Sequence, residues 1–580
     1  MTMTNQELAA AFDRIADLLE IKGEVIYKTI AYRRAAESLR GLSQEAAEIR
    51  AAGSLTDIPG VGKAIAEKMT ELLDTGRLEF LARLESEVPP SLLELLEVPD
   101  IGPKKANALW SKAGITNLQE LEAAARAGKI RALPGMGEKT EQRILEGIAA
   151  LQRRTTRLPL GTALPEGERW LAWLKAQPGI VQADLAGSLR RRKLTIGDLD
   201  LVAAAADPAP IMQAFTHHEN VERIIGQGEA KASVQLKNGI NIQLWIQPPQ
   251  KYASLLQFVT GSKEHNVRLR ELAQRQGFSL SEHGISQADG GQEWQFASEA
   301  ELYQALGLPW IAPELREDRG EIQAALANRL PQLIERSDLR AELHSHSTWS
   351  DGSESIRNMV SAAQKRGHTI LAVTDHSQSL GIANGLTPER LRQQRAEIDA
   401  LQAERGSDFL ILQGAEVEIK ADGSLDYPDE VLASLDIVVA SLHVSLRQPR
   451  EEVTARLIRA IRNPHVDIIG HPSGRLLPNR EGADLDWEAV FAAARETNTV
   501  LEINAHPERL DLDDVHARRA IELGIRLSID TDAHQPGDMD YAPYGISVAR
   551  RAWVTAEQVI NTWPAAKLRA WLKLDKSERD

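Results

Sequence analysis

The spacing of apolar and polar residues changes along the chain and divides it into regions. From residue 5 to about 150, apolar residues recur at helical spacing, as in NQELAAAFDRIADLLEI, which predicts short amphipathic helices separated by glycine-containing turns. Two prolines in RRTTRLPLGTALPEGERW interrupt this pattern and predict a boundary near residues 153 to 165. From 166 to about 312, helical segments mix with short strands such as KASVQL and GINIQLWI.

The last part of the chain has a different rhythm. After a charged, partly helical stretch at 313 to 342, apolar runs of four to eight residues alternate with helical segments such as SIRNMVSAAQKRG and WEAVFAAARETN. This alternation is typical of βα units around a parallel sheet or barrel.

Composition limits the class of protein. The 580 residues predict roughly three to five domains, and 43% hydrophobic with 26% charged residues indicates a globular chain. No apolar stretch approaches the roughly 18 residues that span a bilayer, and MTMTNQELAA lacks signal-peptide features, so we expect a cytoplasmic, nucleoid-associated protein without a membrane partner. With no cysteine, any metal must be held by His, Asp or Glu. The net charge of −15 leaves only local basic patches for nucleic acid.

Three turns in the first region are variants of one pattern. IPGVGKAIAEKM (58 to 69), VPDIGPKKANALW (98 to 110) and LPGMGEKTEQRI (133 to 144) each place glycine before a basic helix, where backbone N–H groups and the helix N-terminus can receive phosphate. The alternative is three ordinary glycine-capped helix joints, and Asp100 in the second copy would leave that copy either weak or only packed. The turns resemble helix-hairpin-helix motifs, which grip DNA backbone without reading sequence. This resemblance implies DNA contacts by Gly60, Gly62, Lys63, Gly102, Lys104, Gly135, Gly137 and Lys139.

The segment YKTIAYRRAAESL, residues 27 to 39, extends this comparison. Together with the first turn it resembles the small N-terminal domain of family X DNA polymerases. The resemblance implies phosphate-side roles for Lys28, Tyr32 and Arg33, and it places Lys68 where some relatives have a Schiff-base lysine. The alternative for Lys68 is a solvated helix lysine.

Two aspartates stand one residue apart in TIGDLDLVAAA. If a strand begins at Asp198, the carboxylates of Asp198 and Asp200 project together and suit divalent cations; otherwise Gly197 and Asp198 close a turn and Asp200 faces water. The flanks AGSLRRRKLTIGDLDLV and FVTGSKEHNVRLRELAQRQGFSLSEHGI resemble the palm and thumb of family X polymerases. This resemblance implies Mg²⁺ or Mn²⁺ at both aspartates and a deoxynucleoside triphosphate as a partner. It assigns nucleotide or template contacts to Gly187, Ser188, Arg191, Gly261, Asn266 and Arg270.

The third carboxylate of such a site is missing. In GINIQLWIQPP, Gln243 stands where the family has Asp, and Trp245 where it has Arg. An amide offers one oxygen to a metal, but it lacks the negative charge and cannot take a proton from a primer hydroxyl. We therefore expect polymerisation to be weak or lost; the alternative is a working Mn²⁺-dependent gap-filling polymerase.

Metal-competent residues cluster at apolar runs in the last region. Because the carboxyl ends of barrel strands meet on one face, such residues are predicted to converge, although histidines that only pack or cap are the alternative. Ligands without sulfur suit Mn²⁺, Zn²⁺ or Fe²⁺. The residues are His344, His346, Asp351, His376, Glu416, His443, His471, Asp532 and His534.

This pattern resembles the PHP (polymerase and histidinol phosphatase) domain, a distorted βα barrel with three metals and phosphoesterase chemistry. By this resemblance up to three Mn²⁺ or Zn²⁺ ions would bind. His344, His346, Glu416 and Asp532 would hold the first, Glu416, His443 and His471 the second, and Asp351, His376 and His534 the third. Arg475 or Arg509 would assist at the phosphate, and His506 would either support the site or only pack.

The whole chain resembles a bacterial family X DNA polymerase with a C-terminal PHP domain. The implied fold is multidomain: an all-α helix-hairpin-helix region, an α+β nucleotidyltransferase palm with thumb, and a distorted TIM-like β/α PHP barrel. The expected ranges are an N-terminal helical domain at 1–80, a fingers-like region at 81–155, the palm at 166–250, the thumb at 251–312, a linker at 313–340 and the PHP domain at 341–572.

The resemblance also implies a role in base-excision repair. A monomer would bind gapped or nicked DNA, and the PHP site would act as a 3′–5′ exonuclease, 3′-phosphatase or abasic endonuclease. Two alternatives stay open: a hydrolase of a small phosphate ester, and a DNA-binding scaffold without catalysis.

Overall fold

A computed structural model describes residues 3, 5–24, 26–40, 46–51, 53, 55–58, 60–96, 98, 101–133, 135–155, 157–288, 291 and 293–579. Asp100 lies outside this part of the chain. The chain forms two compact units, residues 1–156 and 157–580. Among the described helices, none is long and apolar enough to cross a membrane.

The first unit is helical throughout its described secondary structure. Its helices are amphipathic, and residues at helical spacing, such as Leu8, Phe12 and Ile15, form a common core. The helices are α1 (Asn5–Lys22), α2 (Ile26–Arg40), α3 (Ala46–Ala51), α4 (Lys63–Thr75), α5 (Glu79–Glu87), α6 (Leu92–Leu95), α7 (Pro103–Ala113), α8 (Leu118–Arg126) and α9 (Glu138–Thr155).

The three glycine turns of this unit share one hydrogen-bonding pattern. The middle apolar residue of each turn donates its N–H to a carbonyl three residues earlier: Val61 to Ile58 at 3.0 Å, Ile101 to Val98 at 3.0 Å and Met136 to Leu133 at 3.1 Å. A helix follows immediately, and its first carbonyl acceptor is Gly62, Gly102 or Gly137. The same local geometry therefore occurs three times.

The second unit begins with a mixed sheet. Its strand order is β2-β4-β7-β6-β5, with β4 parallel to β7 and the other pairs antiparallel. Alternate residues of β6 and β7 are buried, as period-two patterning requires. The elements are β1 (Leu158–Pro159), α10 (Leu160–Lys175), β2 (Ile180–Leu185), α11 (Gly187–Arg190), β3 (Thr195–Ile196), β4 (Leu199–Ala205), α12 (Ala209–Thr216), β5 (Val221–Gln227), β6 (Lys231–Leu236) and β7 (Asn241–Gln247).

A smaller helical region with a hairpin follows the sheet and has its own apolar cluster. It comprises α13 (Tyr252–Thr260), α14 (Lys263–Arg275), β8 (Phe278–Ser281), β9 (Gly284–Gln287), α15 (Glu299–Ala305) and α16 (Glu321–Leu326). Part of the stretch predicted as a linker is packed here, because Arg316 is fully buried and its guanidinium pairs with Glu299 at 2.7 Å.

Residues 341–579 form a parallel barrel of seven strands in sequence order, β10 to β16, surrounded by helices. The strands are β10 (Ala341–Glu342), β11 (Ile370–Val373), β12 (Leu410–Glu418), β13 (Ile437–Ser441), β14 (Ile468–Gly470), β15 (Val500–Asn504) and β16 (Leu527–Asp530). The helices are α17 (Ile356–Lys365), α18 (Pro388–Arg405), α19 (Asp429–Leu432), α20 (Arg450–Ile461), α21 (Trp487–Thr497), α22 (Asp514–Glu522), α23 (Ala542–Arg551) and α24 (Ala565–Leu572).

The barrel is completed between β10 and β16 by a side chain rather than by an eighth strand. The buried Asn561 amide donates to the carbonyl of Ala341 at 3.1 Å and to that of Ile529 at 2.9 Å. Its own oxygen accepts from the Ile529 N–H at 2.8 Å. Asn561 thereby satisfies strand edges that would otherwise be left without partners inside the protein.

Candidate metal centre and palm site

The barrel brings all nine predicted metal-ligating residues to the carboxyl ends of its strands. His344 and His346 follow β10, and Asp532 and His534 follow β16. Eight of the nine side chains form three overlapping groups, and within each group the ligand atoms lie within 4.8 Å of one another. The groups are His346, Asp351, His376 and His534; His344, His346, Glu416 and Asp532; and His376, Glu416 and His443.

Glu416 is the common member of the second and third groups. Its Oε2 lies 2.9 Å from His376 Nδ1, and its Oε1 lies 3.3 Å from His443 Nε2. His471, predicted to share a metal with His443, reaches the same Oε1 through its Nε2 at 2.8 Å. His443 and His471 thus share one oxygen of Glu416, and His376 lies at the other.

The centre contains buried polar atoms that have no hydrogen-bond partner within the described residues. These are Nε2 of His344, Nδ1 of His346, Oε2 of Glu416 and Nδ1 of His471. A buried polar atom without a partner costs about 1 to 3 kcal/mol. Divalent cations would satisfy such atoms, so the donor set fits metal ions.

Two carboxylates outside the predicted set orient the histidines. Glu502 Oε1 accepts from His344 Nδ1, and Glu418 Oε2 accepts from His443 Nδ1, both at 2.7 Å. Each contact leaves the Nε2 atom of the imidazole free to face the centre. The sequence signal was a glutamate within a buried strand, as in VLEIN, which is costly unless it has a partner.

The electrostatics of the centre favour ionised carboxylates. Burial acts to raise the pKa of Glu416, but the surrounding His443, His376 and His344 lower it well below its usual range. Burial, together with His534 and His376, lowers the pKa of His346 to about 3. Burial acts to lower the pKa of His376, but Glu416 and Asp351 raise it to about 10, so a metal ion there would replace a proton.

The three basic residues that were expected near the centre have different surroundings in the structure. Arg475 Nε donates to the Arg509 carbonyl at 2.8 Å, so its head group holds the loop together. Arg509 Nε lies 3.3 Å from Asp532 Oδ2, next to the centre. His506 is partly exposed, and its ring packs edge-on against Tyr541.

In the palm, Gln243 stands beside the aspartate pair. It is the register partner of Asp200 on the parallel strand β4, and its Nε2 donates to Asp198 Oδ2. Asp198 lies just before β4 rather than within it. Desolvation, followed by the charge of Asp198, raises the pKa of Asp200 to about 7. The Nζ atom of Lys231 lies over the ring of Trp245, 4.0 Å from its centroid.

Gly187, in the predicted phosphate turn, lies very close to Asp200 of this pair. Its φ is +57°, and a Cβ here would lie 1.9 Å from Asp200 Oδ2. Ser188 lies beside it in α11. Arg191 is buried: its Nε pairs with Glu317 at 3.0 Å and its Nη1 donates to the Thr260 carbonyl.

The other residues that were predicted to contact the nucleotide also have partners within the protein. Gly261, with φ +67°, ends α13 and lies against Arg191. The Asn266 side chain accepts from Gln257 at 2.9 Å and donates to the Phe258 carbonyl at 2.8 Å. Arg270 Nε donates to the Asn266 carbonyl at 3.2 Å.

The predicted phosphate-side residues of α2 have partners within the first unit. Lys28 Nζ lies 3.1 Å from Glu24, and Arg33 pairs with Asp17 and Glu20 at 2.9 and 2.8 Å. Tyr32 is buried and stacks on Phe80, with ring centroids 6.1 Å apart. Lys68 Nζ lies 5.1 Å above that same Phe80 ring and donates to the Ala64 carbonyl at 3.2 Å.

The glycines of the three turns are exposed, whereas the middle apolar residue of each turn is buried. Gly60 and Gly135 have φ of +80° and +76°, and Gly62, Gly102 and Gly137 have open space where a Cβ would be. Lys63, Lys104 and Lys139 are exposed in the first turns of the helices that follow.

Family models match several parts of the chain. A helix-hairpin-helix domain matches residues 3–78, a SAM-like helix-hairpin-helix tandem 92–150, the DNA polymerase beta thumb 255–317 and the PHP domain 342–506. The predicted presence of helix-hairpin-helix, thumb and PHP folds is thereby confirmed.

Known proteins resemble the chain over different spans. The DNA polymerase/3′-5′ exonuclease PolX of Bacillus subtilis (strain 168) is 38% identical over 573 residues, covering 98% of this chain and all of the relative. A probable phosphatase of Thermoanaerobacter sp. (strain X514) is 31% identical over 40% of this chain and 95% of its own length. DNA polymerase lambda of Rattus norvegicus is 25% identical over 54% of this chain and 57% of its own length. The chain belongs to the bacterial family X DNA polymerases of the PolX type, which carry a C-terminal PHP domain.

Proposed function

We propose that this chain binds gapped or nicked DNA as a monomer and processes its 3′ ends at the barrel centre, in base-excision repair. The observation that carries the proposal is that eight His, Asp and Glu side chains form three overlapping groups, two of which share Glu416, and that the ninth, His471, contacts Glu416 at 2.8 Å. The expected activity is that of a Mn²⁺- or Zn²⁺-dependent 3′–5′ exonuclease, 3′-phosphatase or abasic endonuclease.

The residues of the centre divide into metal-holding and orienting groups. The nine predicted ligands would hold up to three divalent ions, which lower the pKa of water and neutralise charge on a phosphate. Glu502 and Glu418 fix the rings of His344 and His443. Arg509, beside Asp532, would contact a phosphate oxygen that lies over the centre.

The helix-hairpin-helix turns would supply the grip on DNA. Their backbone N–H groups and the exposed Lys63, Lys104 and Lys139 suit phosphate contacts, which set position without reading sequence. A gap or nick offers a 3′ end close to continuous duplex, so it suits an enzyme that combines backbone contacts with end processing.

Polymerisation by the palm is proposed to be weak or lost. Gln243 donates its amide to Asp198, an arrangement that adds no charge and cannot accept the primer proton. Arg191, expected to hold a triphosphate, is occupied by Glu317. The palm would therefore bind Mg²⁺ or Mn²⁺ and a deoxynucleoside triphosphate only weakly.

The decisive experiment is degradation of a 3′-recessed duplex in Mn²⁺. We expect stepwise loss of 3′ nucleotides, abolished by His346→Ala and unchanged by Asp198→Ala. If His346→Ala still degrades the duplex and Asp198→Ala does not, the barrel centre is not the nuclease.

A second candidate is hydrolysis of a small phosphate ester, which the similarity of the barrel region to the probable phosphatase favours. Rapid turnover of phosphate monoesters with intact DNA would support that candidate. If the protein hydrolyses neither DNA nor phosphate monoesters, the interpretation that remains is a DNA-binding scaffold without catalysis.

A further inference from the structure

A line of partly exposed aromatic rings leads away from the metal centre. His506 lies beyond β15, and its carbonyl accepts at 2.8 Å from the N–H of Arg509, whose Nε lies 3.3 Å from Asp532. Its ring centroid lies 5.2 Å from that of Tyr541, which lies 6.3 Å from that of Tyr544. We refer to His506, Tyr541 and Tyr544 as the aromatic line, and all three are partly exposed.

The far end of the aromatic line reaches the palm. Tyr544 lies in α23, and Arg551 at the end of that helix donates its Nη1 to the carbonyl of Arg191, which directly precedes Arg192, at 2.7 Å. The line therefore connects the mouth of the barrel to the palm within one compact unit.

At each end of the aromatic line lies an arginine whose side chain can still donate a hydrogen bond. Nη1 of Arg509, at the metal centre, and Nη1 of Arg192, at the palm, are buried and have no hydrogen-bond partner in the part of the chain that the structure describes. Glu168 and Glu314 face Arg192, and Glu508 and Asp538 face Tyr541. A guanidinium N–H that still lacks an acceptor is suited to a phosphate oxygen.

We propose that the aromatic line binds the single-stranded 3′ end of DNA on its way to the metal centre, and this proposal rests on the proposed exonuclease function. Bases would stack against Tyr541 and Tyr544, and phosphates would contact Arg192 and Arg509. Stacking tolerates any base, as a nuclease requires. The rings meet edge to face, at 79° and 65°, so a base would stack on a ring face that is open to solvent rather than between two rings.

The test uses the double variant Tyr541→Ala/Tyr544→Ala in the full chain. Its substrates are a duplex with an unpaired, labelled 3′ tail and the small diester bis(p-nitrophenyl) phosphate, both in Mn²⁺. We expect tail degradation to slow roughly tenfold or more, because the variant loses the free energy with which bases stack on the two rings. Hydrolysis of the small diester should stay within about twofold of wild type. Fluorescence anisotropy of the labelled tail without divalent metal gives a second readout, with roughly tenfold weaker binding expected.

Two control variants make the result specific. Tyr541→Phe/Tyr544→Phe keeps both rings and should retain tail degradation and binding. Trp310→Ala removes a ring that is 42% exposed elsewhere in the same unit and should leave tail degradation unchanged. If the double alanine variant fails to fold, Tyr541→Ala alone is measured, because Tyr544 packs against the main apolar cluster.

Three results would overturn the proposal: equal tail degradation and binding by wild type and the alanine variant, an equal loss in the phenylalanine variant, or a parallel loss of small-diester hydrolysis. Failure of the proposed function has a different signature. In that case wild type hydrolyses the diester but leaves DNA intact, and anisotropy still decides whether the aromatic line binds the tail.

Discussion

The Nδ1 atom of His344 lies 2.7 Å from Oε1 of Glu502, a carboxylate in the middle of a buried strand. This contact directs His344 Nε2 toward Glu416 and Asp532, each 3.5 Å away. Glu502 also accepts from the His471 backbone N–H, so one carboxylate orients two predicted ligand positions.

Replacing this carboxylate should weaken metal binding. We expect Glu502→Gln to lower Mn²⁺ affinity about 10- to 100-fold, because an amide holds the imidazole tautomer less firmly. Titration calorimetry and bound-metal analysis after gel filtration measure this directly. Glu557→Gln, at an exposed position, is the control, and equal affinities for both variants would contradict the assigned role.

Restoring the third palm carboxylate should restore polymerisation. We expect Gln243→Asp to speed primer extension on a gapped duplex in Mn²⁺ about a hundredfold or more, because it supplies a proton acceptor and a further negative charge. Asp198→Ala in the same background should remove the gain. Brisk and equal extension by wild type and Gln243→Asp would show that the amide is no obstacle.

A methyl group at Gly187 should disturb the palm. Gly187→Ala adds a left-handed backbone penalty of about 1 to 2 kcal/mol and a clash with Asp200 that costs about 1 to 3 kcal/mol more. Gly179→Ala is a matched control, since its φ is +86° and no atom lies within 4 Å of its Cβ position. Urea unfolding of both variants compares the losses, and equal losses would argue against the clash.

Glu317 should make stability depend on pH. Burial acts to raise the pKa of this carboxyl, but Arg551 and Arg191 outweigh it and lower the pKa to about 2. A lowered carboxyl pKa gives stability that is complete above pH 5 and is lost as the pH falls toward 2, about 3 kcal/mol in all. Urea unfolding at pH 7, 5 and 4 should show wild type more stable than Glu317→Gln, with a gap that narrows below about pH 4.5. A gap that does not change with pH would contradict this account.

The glycine turns should bind DNA mainly through phosphates. We expect Lys63→Ala and Lys139→Ala each to weaken binding to unrelated duplexes equally and to reduce the slope of log K against log salt by about 0.9. Lys175→Ala, at an exposed position of the second unit, is the control. A sequence-dependent loss of affinity would indicate base contacts instead.

Most of the predictions about the turns and the metal ligands came from residues that lie close together in the sequence. The three turns were identifiable because glycine, an apolar residue and a following helix recur within a few positions, and the structure repeats the same hydrogen bond in each. The ligands after β10 and β16 were identifiable because the carboxyl ends of parallel strands must meet. The nine candidate ligands were identifiable from the sequence, whereas the carboxylates of Glu502 and Glu418 that orient His344 and His443 were not.

The sequence by itself determined which chemical groups this protein has: histidines and carboxylates without cysteine, three glycine turns, and an amide at Gln243. Only the tertiary structure decided which groups meet. It paired Glu502 with His344, occupied Arg191 with Glu317, and joined His506 to Tyr541 and Tyr544. These partners lie far apart in the chain, and distant contacts depend on how whole elements pack, which no local spacing of residues encodes.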